Sequence, residues 1–177
     1  MDHVVYQTSF GFRFKEVVPH LPCNLTYVGQ DLSRANYSWE GLTRKDRGGP
    51  YLFQYTLSGY GKIRIGQDEH PLRAGTAFFV PFHGDYHYYM PDSSDRYECI
   101  FLSLSGSEAA KCWSHLSEQR KQVLFLSEQT NPIRTLRYIF QEAANKQITD
   151  AYRASLLAYQ SILELYSYCS GHSLPDK

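Results

Sequence analysis

His83 and His87 flank a Gly84-Asp85 turn, and two imidazoles four residues apart are the first candidates for metal chemistry in this chain. The turn between them sends the two side chains to different faces. A metal needs three or four convergent ligands with outer hydrogen-bond support. The seven histidines (His3, His20, His70, His83, His87, His115 and His172) show no such spacing on one strand. Covalent catalysis finds no better footing. There is no Gly-x-Ser-x-Gly elbow, and no cysteine has a suggestive His neighbour in sequence. Gly59-Tyr60-Gly61 lacks the third glycine and following helix of a phosphate loop, and reads as a hairpin turn. No pair of carboxylates stands out for acid–base work. The sequence therefore predicts no metal, no cofactor and no catalytic residue. What it does supply is 15 tyrosines and 10 phenylalanines. Tyr joins an apolar ring to a polar tip, which suits a semi-polar cavity, an interface or an aromatic-rich β core.

Charge and composition narrow the partners. With 18 basic and 18 acidic residues the chain is neutral, so the basic footprint of a nucleic-acid binder is missing. No apolar run approaches the ~18 residues that cross a bilayer. The first residues lack a basic region followed by an apolar one. Cys23, Cys99, Cys112 and Cys169 are widely separated and read as reduced thiols. A cytoplasmic location without membrane contact is expected.

The elements fall into two regimes. Up to about residue 105, short strand patterns alternate with Gly, Pro, Asn and Asp turns, at the roughly eight- to twelve-residue spacing of a sandwich or barrel. Strands are predicted over 10–14, 25–28, 51–57, 62–65, 76–80, 86–90 and 96–104. Pro81 must stop or bulge the 76–80 run that Gly75 opens, because proline cannot donate to a ladder. After Ser105 the period changes. A short helix is predicted over 108–116 and a brief extended run over 123–126. Asn131, followed by Pro132, caps a helix striped by Ile133, Leu136, Phe140 and Ala143. Asp150 caps a last helix ending at Gly171. That helix carries two seams: Tyr152, Leu156, Tyr159, Leu163 and Tyr166, and a second of Ala158, Ile162, Leu165 and Cys169. One seam can cover the rest of the domain while the other meets a partner chain, or both can be buried in a monomer.

The 75–87 segment, with Gly75, Pro81, Gly84 and His87, resembles the second conserved motif of the cupin β-barrels. The metal-ligand motif that a cupin enzyme carries earlier would fall near 51–61, a stretch without His or carboxylate. That stretch, with Thr56, Leu57, Gly59 and Gly61, instead resembles the strand-and-hairpin signature of AraC-type transcription regulators. Leu72, Gly75, Phe79, Pro81 and then His87, Tyr88 and Tyr89 continue that pattern in order, from about Leu25 to Cys169. The resemblance implies a mainly β fold with C-terminal helices: a cupin-like jelly-roll barrel followed by an antiparallel two-helix dimerisation element. It divides the chain into an N-terminal arm (1–24, with Pro19 and Pro22), a ligand-binding barrel (25–127), the helix pair (128–170) and the start of a linker (171–177). The DNA-reading half of such a regulator would follow that linker, so an excised sensor domain is expected.

The resemblance also implies a pocket. Tyr89 matches a hydrogen-bonding tyrosine, and His87, two residues earlier, shares its face. Arg44 matches an arginine that contacts sugar hydroxyls, Phe101 an aromatic that stacks on the sugar, and Cys99 a polar pocket residue. Asp31 sits where a small polar contact would be. A carboxylate, an arginine and tyrosines suit a polyhydroxylated ligand. The expected function is a sensor of a small-molecule effector, a carbohydrate by the resemblance, that homodimerises through Tyr152, Leu156, Tyr159, Leu163 and Tyr166 and meets DNA only through a further domain. The competing readings are a cupin-fold sugar isomerase or epimerase, and a dimerisation module with no effector.

Overall fold

The strand from Tyr51 to Ile65 organises the molecule, because its two halves belong to different sheets. The computed structural model describes residues 6–15, 21–44 and 51–171. Among these are nine strands: β1 (Tyr6–Gly11), β2 (Asn24–Ser33), β3 (Ser38–Glu40), β4 (Tyr51–Ile65), β5 (Asp68–Arg73), β6 (Thr76–Pro81), β7 (Tyr86–Tyr89), β8 (Tyr97–Ser105) and β9 (Val123–Phe125). Three helices accompany them, α1 (Ser107–Glu118), α2 (Asn131–Ala144) and α3 (Ala151–Cys169). The first half of β4 lies in a sheet of order β1-β2-β8-β4-β6-β9, and the second half joins β3, β7 and β5. Every pairing is antiparallel.

The transfer happens at the segment read from sequence as a hairpin. The register of β4 against β8 shifts between Thr56 and Ser58, and Gly59 adopts φ 78°. Tyr60 N–H then donates to Arg96 O at 2.9 Å, so the strand bends without ending. A bulge beside a left-handed glycine increases local twist and carries one strand between sheets.

Side-chain alternation splits the core in two. Phe53, Phe79, Leu102 and Leu104 face the helices and pack on Ile133, Leu136, Leu157 and Ile162. Leu52, Phe78, Val80 and Cys99 face the other way, towards Ile63, Leu72, Tyr86 and Tyr88 of the second sheet. The central strands of the first sheet are buried on both faces, which is why they read as nearly unbroken apolar runs.

The helices match the expected positions closely, with one shift of cap. Thr130, not Asn131, is the N-cap residue of α2, and Pro132 stands in its first turn. Asp150 caps α3 by accepting from Arg153 N–H at 2.9 Å. The seam of Ala158, Ile162 and Leu165 is buried in the core, with Cys169 packed at its end. In the other seam Tyr152, Leu156 and Leu163 are 63%, 59% and 49% exposed, while Tyr159 and Tyr166 are half-buried. Part of the expected arm, 6–11, is β1 and pairs along β2 through Ser9↔Gly29. The arm's residues 1–5 and 16–20, Pro19 included, and the linker at 172–177 lie outside the described residues.

Candidate ligand-binding site

Between the two sheets lies a cavity of about 760 Å³. Its walls follow from strand periodicity. On β2, Tyr27, Gly29 and Asp31 share the inner face, and on β8 so do Cys99, Phe101 and Ser103. Gly29 is needed because the Phe101 ring lies against its backbone: a Cβ there would meet Phe101 Cε1 and Ser9 Cβ, each at 2.9 Å. The arm strand completes the wall with Gln7 and Ser9.

Asp31 is 8% exposed and faces this space. Among the described residues its carboxylate has neither an ion pair nor a side-chain hydrogen bond, and burial pushes its pKa up to about 6. Arg44 follows the 3₁₀ turn Gly41–Thr43. Its guanidinium carbon stands 4.1 Å from the Phe82 ring, 4.8 Å from Trp39 and 5.7 Å from Tyr88. Nη1 donates to Tyr86 Oη at 3.4 Å, and that hydroxyl donates to Phe82 O at 2.6 Å. Cation and rings hold one another in place.

The cavity floor is a closed polar chain. Tyr37 Oη donates to Gln54 Oε1 (3.5 Å), Gln54 Nε2 donates to Tyr97 Oη (3.2 Å), and Tyr97 Oη lies 3.1 Å from Thr56 Oγ1. With the Tyr37 proton committed to Gln54, the Cys99 thiol at 3.6 Å is the donor to Tyr37 Oη. Burial raises the pKa of the Tyr37, Tyr97 and Cys99 side chains, so all remain neutral. Such a satisfied network fixes the floor, and Asp31, Arg44 and the rim supply further polar groups to the cavity.

Asp31, Arg44 and Phe101 thus meet on one cavity, while Cys99 is fully buried beneath its floor. His87 and Tyr89 do not line it, which corrects their expected position. In β7, Tyr88 pairs with Ile63 and His87 with Arg64. Ile63 points into the inter-sheet core, so Tyr86 and Tyr88 do too, and their neighbours face outward. His87 Nε2 is 2.8 Å from Ser38 Oγ, and its ring stacks on Tyr89 at 4.7 Å. Tyr89 Oη donates to Glu69 at 3.0 Å. The residues that sequence reasoning missed are Tyr88, Trp39 and Phe82. The Tyr-His-Tyr-Tyr run of β7 carries an aromatic on both faces, so only pairing could choose between them.

Among the described residues no three His, Cys, Asp or Glu side chains form a metal cluster, and no helix is long and apolar enough to cross a membrane.

Comparison with known proteins places this geometry. The AraC-like transcriptional activator CuxR shares the fold at 15% identity, covering 98% of this chain and 64% of its own, with a TM-score of 0.56. YhaK from Escherichia coli aligns at 14% identity over 71% of this chain and 53% of its own, with a TM-score of 0.47. A cupin superfamily protein from Desulfitobacterium hafniense aligns at 12% identity over 56% of this chain and 78% of its own, with a TM-score of 0.39. The chain therefore spans under two thirds of the length of the first two proteins. No curated protein sequence matches it. The model of the AraC-like ligand binding domain matches residues 27–162, most of the chain and all of the cavity lining except Gln7 and Ser9, and the chain belongs to that family.

Proposed function

We propose that this chain is the effector-sensing and dimerisation unit of an AraC-type transcription regulator, working in the cytoplasm and controlling an attached helix-turn-helix half. The observation that carries the reading is the amphipathic cavity in which Asp31, Arg44 and Phe101 converge. Aromatic walls with a few placed polar groups suit a polyhydroxylated small molecule, and a sugar is the simplest member of that class. The domain senses this molecule and does not transform it.

Signal transfer follows from the arm. Gln7 and Ser9 belong both to the cavity wall and to β1, whose ladder on β2 is an edge pairing. A ligand that contacts them favours the paired arm over the released one, and a population shift of this kind needs only that difference in affinity. Calorimetric titration of a pentose and hexose panel tests the reading. One sugar should bind saturably, and Phe101→Ala should weaken it about tenfold by removing a stacking face. Absence of binding across the panel would overturn the sugar sensor.

Dimerisation is supported by the exposed seam of Tyr152, Leu156 and Leu163, with Tyr159 and Tyr166 alongside. Replacing Leu156 and Leu163 together by Glu should convert a dimer to a monomer in sedimentation equilibrium. The melting temperature of the monomer should stay close to that of a dilute wild-type sample, because neither side chain supports the core. A wild-type protein that sediments as a monomer at high concentration would sink the assignment.

A further inference from the structure

Arg44 carries a charge that the described residues do not neutralise. Arg64, Arg96, Arg137 and Arg153 each have a carboxylate within 4.0 Å. Around Arg44 stand Phe82, Trp39, Tyr88 and the Tyr86 hydroxyl instead. Glu40, only four residues earlier, also borders the cavity, but its carboxylate reaches Arg64 at 3.7 Å and His87 at 3.8 Å and forms no ion pair with Arg44. Asp31 also lines the cavity but forms no ion pair with Arg44, and burial alone accounts for its shift. A cation drawn out of water among rings needs an anion or several acceptors to recover its hydration.

The shape of the slot selects the anion. Phe82 and Trp39 cover the guanidinium, so its N–H edge is the donor surface, and among the described residues the long Nη1 bond to Tyr86 Oη (3.4 Å) is its one side-chain hydrogen bond. That edge matches a planar carboxylate in two parallel hydrogen bonds. A phosphate dianion would bring two charges to a single cation, in a cavity that already holds the Asp31 carboxylate, which has no ion pair among the described residues. Asp31 itself accepts hydroxyl protons and repels a second acid. The cavity therefore has one end for a carboxylate and another for hydroxyls.

We propose that the effector is a polyhydroxylated carboxylic acid, a sugar acid, with its carboxylate on Arg44 and its hydroxyls towards Asp31. The proposal rests on the sensor reading above and specifies the ligand of that same cavity. Titration with matched pairs tests it: glucuronate against glucose, galacturonate against galactose, and glucose 6-phosphate as the phosphate arm. Each acid that binds should do so at least tenfold more tightly than its neutral partner and than the phosphate. Arg44→Gln should abolish that preference, and Arg44→Lys should retain part of it, with melting curves confirming that both variants fold. Added salt should weaken the acid and leave a neutral sugar unaffected. A neutral sugar that binds as tightly as its acid overturns the carboxylate while leaving sugar sensing intact, as does a preference that survives Arg44→Gln. Preferred binding of the phosphate overturns the planar-anion argument. Binding by no member of the panel overturns both readings.

Discussion

Gly59→Ala is expected to cost the fold about 3 kcal/mol or more, and to lower the melting temperature by about 10 °C. Two effects add at this position. Gly59 sits at φ 78°, where an L side chain costs roughly 1–2 kcal/mol. Its missing Cβ would also stand 2.6 Å from the carbonyl carbon of Arg96 and inside contact distance of the carbonyl oxygen. That oxygen accepts from Tyr60 N–H, so it cannot withdraw without breaking the bond that guides β4 out of the first sheet. Gly66→Ala supplies the control. Gly66 has φ 58° but nothing within 4 Å of an added Cβ, so its substitution should show the conformational cost alone, about 1 kcal/mol. Urea unfolding of the two variants separates the terms. A loss in Gly59→Ala no larger than in Gly66→Ala would mean that the strand crossing tolerates the clash.

The same glycine marks where the sequence stopped being legible. Gly59 and Gly61 look locally like a hairpin, and a bend within one strand needs the same residue types as a turn between two. Only the partners distinguish them, and those partners, Arg96 and Tyr97, lie far along the chain. Where burial is two-sided, as in β6 and β8, local pattern was enough to locate strands. β3 is three residues long and exists through its pairing with β7, so no window could reveal it. β5 was obscured by Pro71, whose missing N–H reads as a strand breaker.

The cavity shows the same division. Asp31, Arg44 and Phe101 were reachable by resemblance because each stands at a recognisable place relative to a strand. Trp39 and Phe82 acquire their role from the Arg44 guanidinium between them, which is a tertiary fact. The error at His87 and Tyr89 was one residue of register, enough to turn a strand inside out. In α3 the two seams were visible from spacing. Packing decided between them by placing Ala158, Ile162 and Leu165 against the core and leaving Tyr152, Leu156 and Leu163 outside.

Asp31→Asn should raise the stability of the protein at pH 7 and lower its affinity for ligand. Burial holds the Asp31 carboxyl at about 6, above the ordinary aspartate value of about 4. The folded state therefore binds this proton more tightly than the unfolded state. Stability contributed by the group is greatest in acid, falls as pH rises between about 4 and 6, and is flat above. A shift of about two units corresponds to roughly 3 kcal/mol at most, and the open side of the cavity lets water reduce this to about 2 kcal/mol. The near-isosteric amide removes the buried charge, so the melting temperature at pH 7 should rise by about 4–8 °C. Wild type and variant should converge towards pH 4, because there the wild-type side chain is neutral as well. Binding moves the other way. A ligand hydroxyl loses a charged acceptor worth about 1.5–3 kcal/mol, so affinity should fall tenfold or more. Opposite changes in stability and affinity are the expected behaviour of a ligand-binding group in the proposed sensor. If the two proteins instead melt in parallel across this pH range, Asp31 is solvated in the folded domain and its place in the ligand site fails with it.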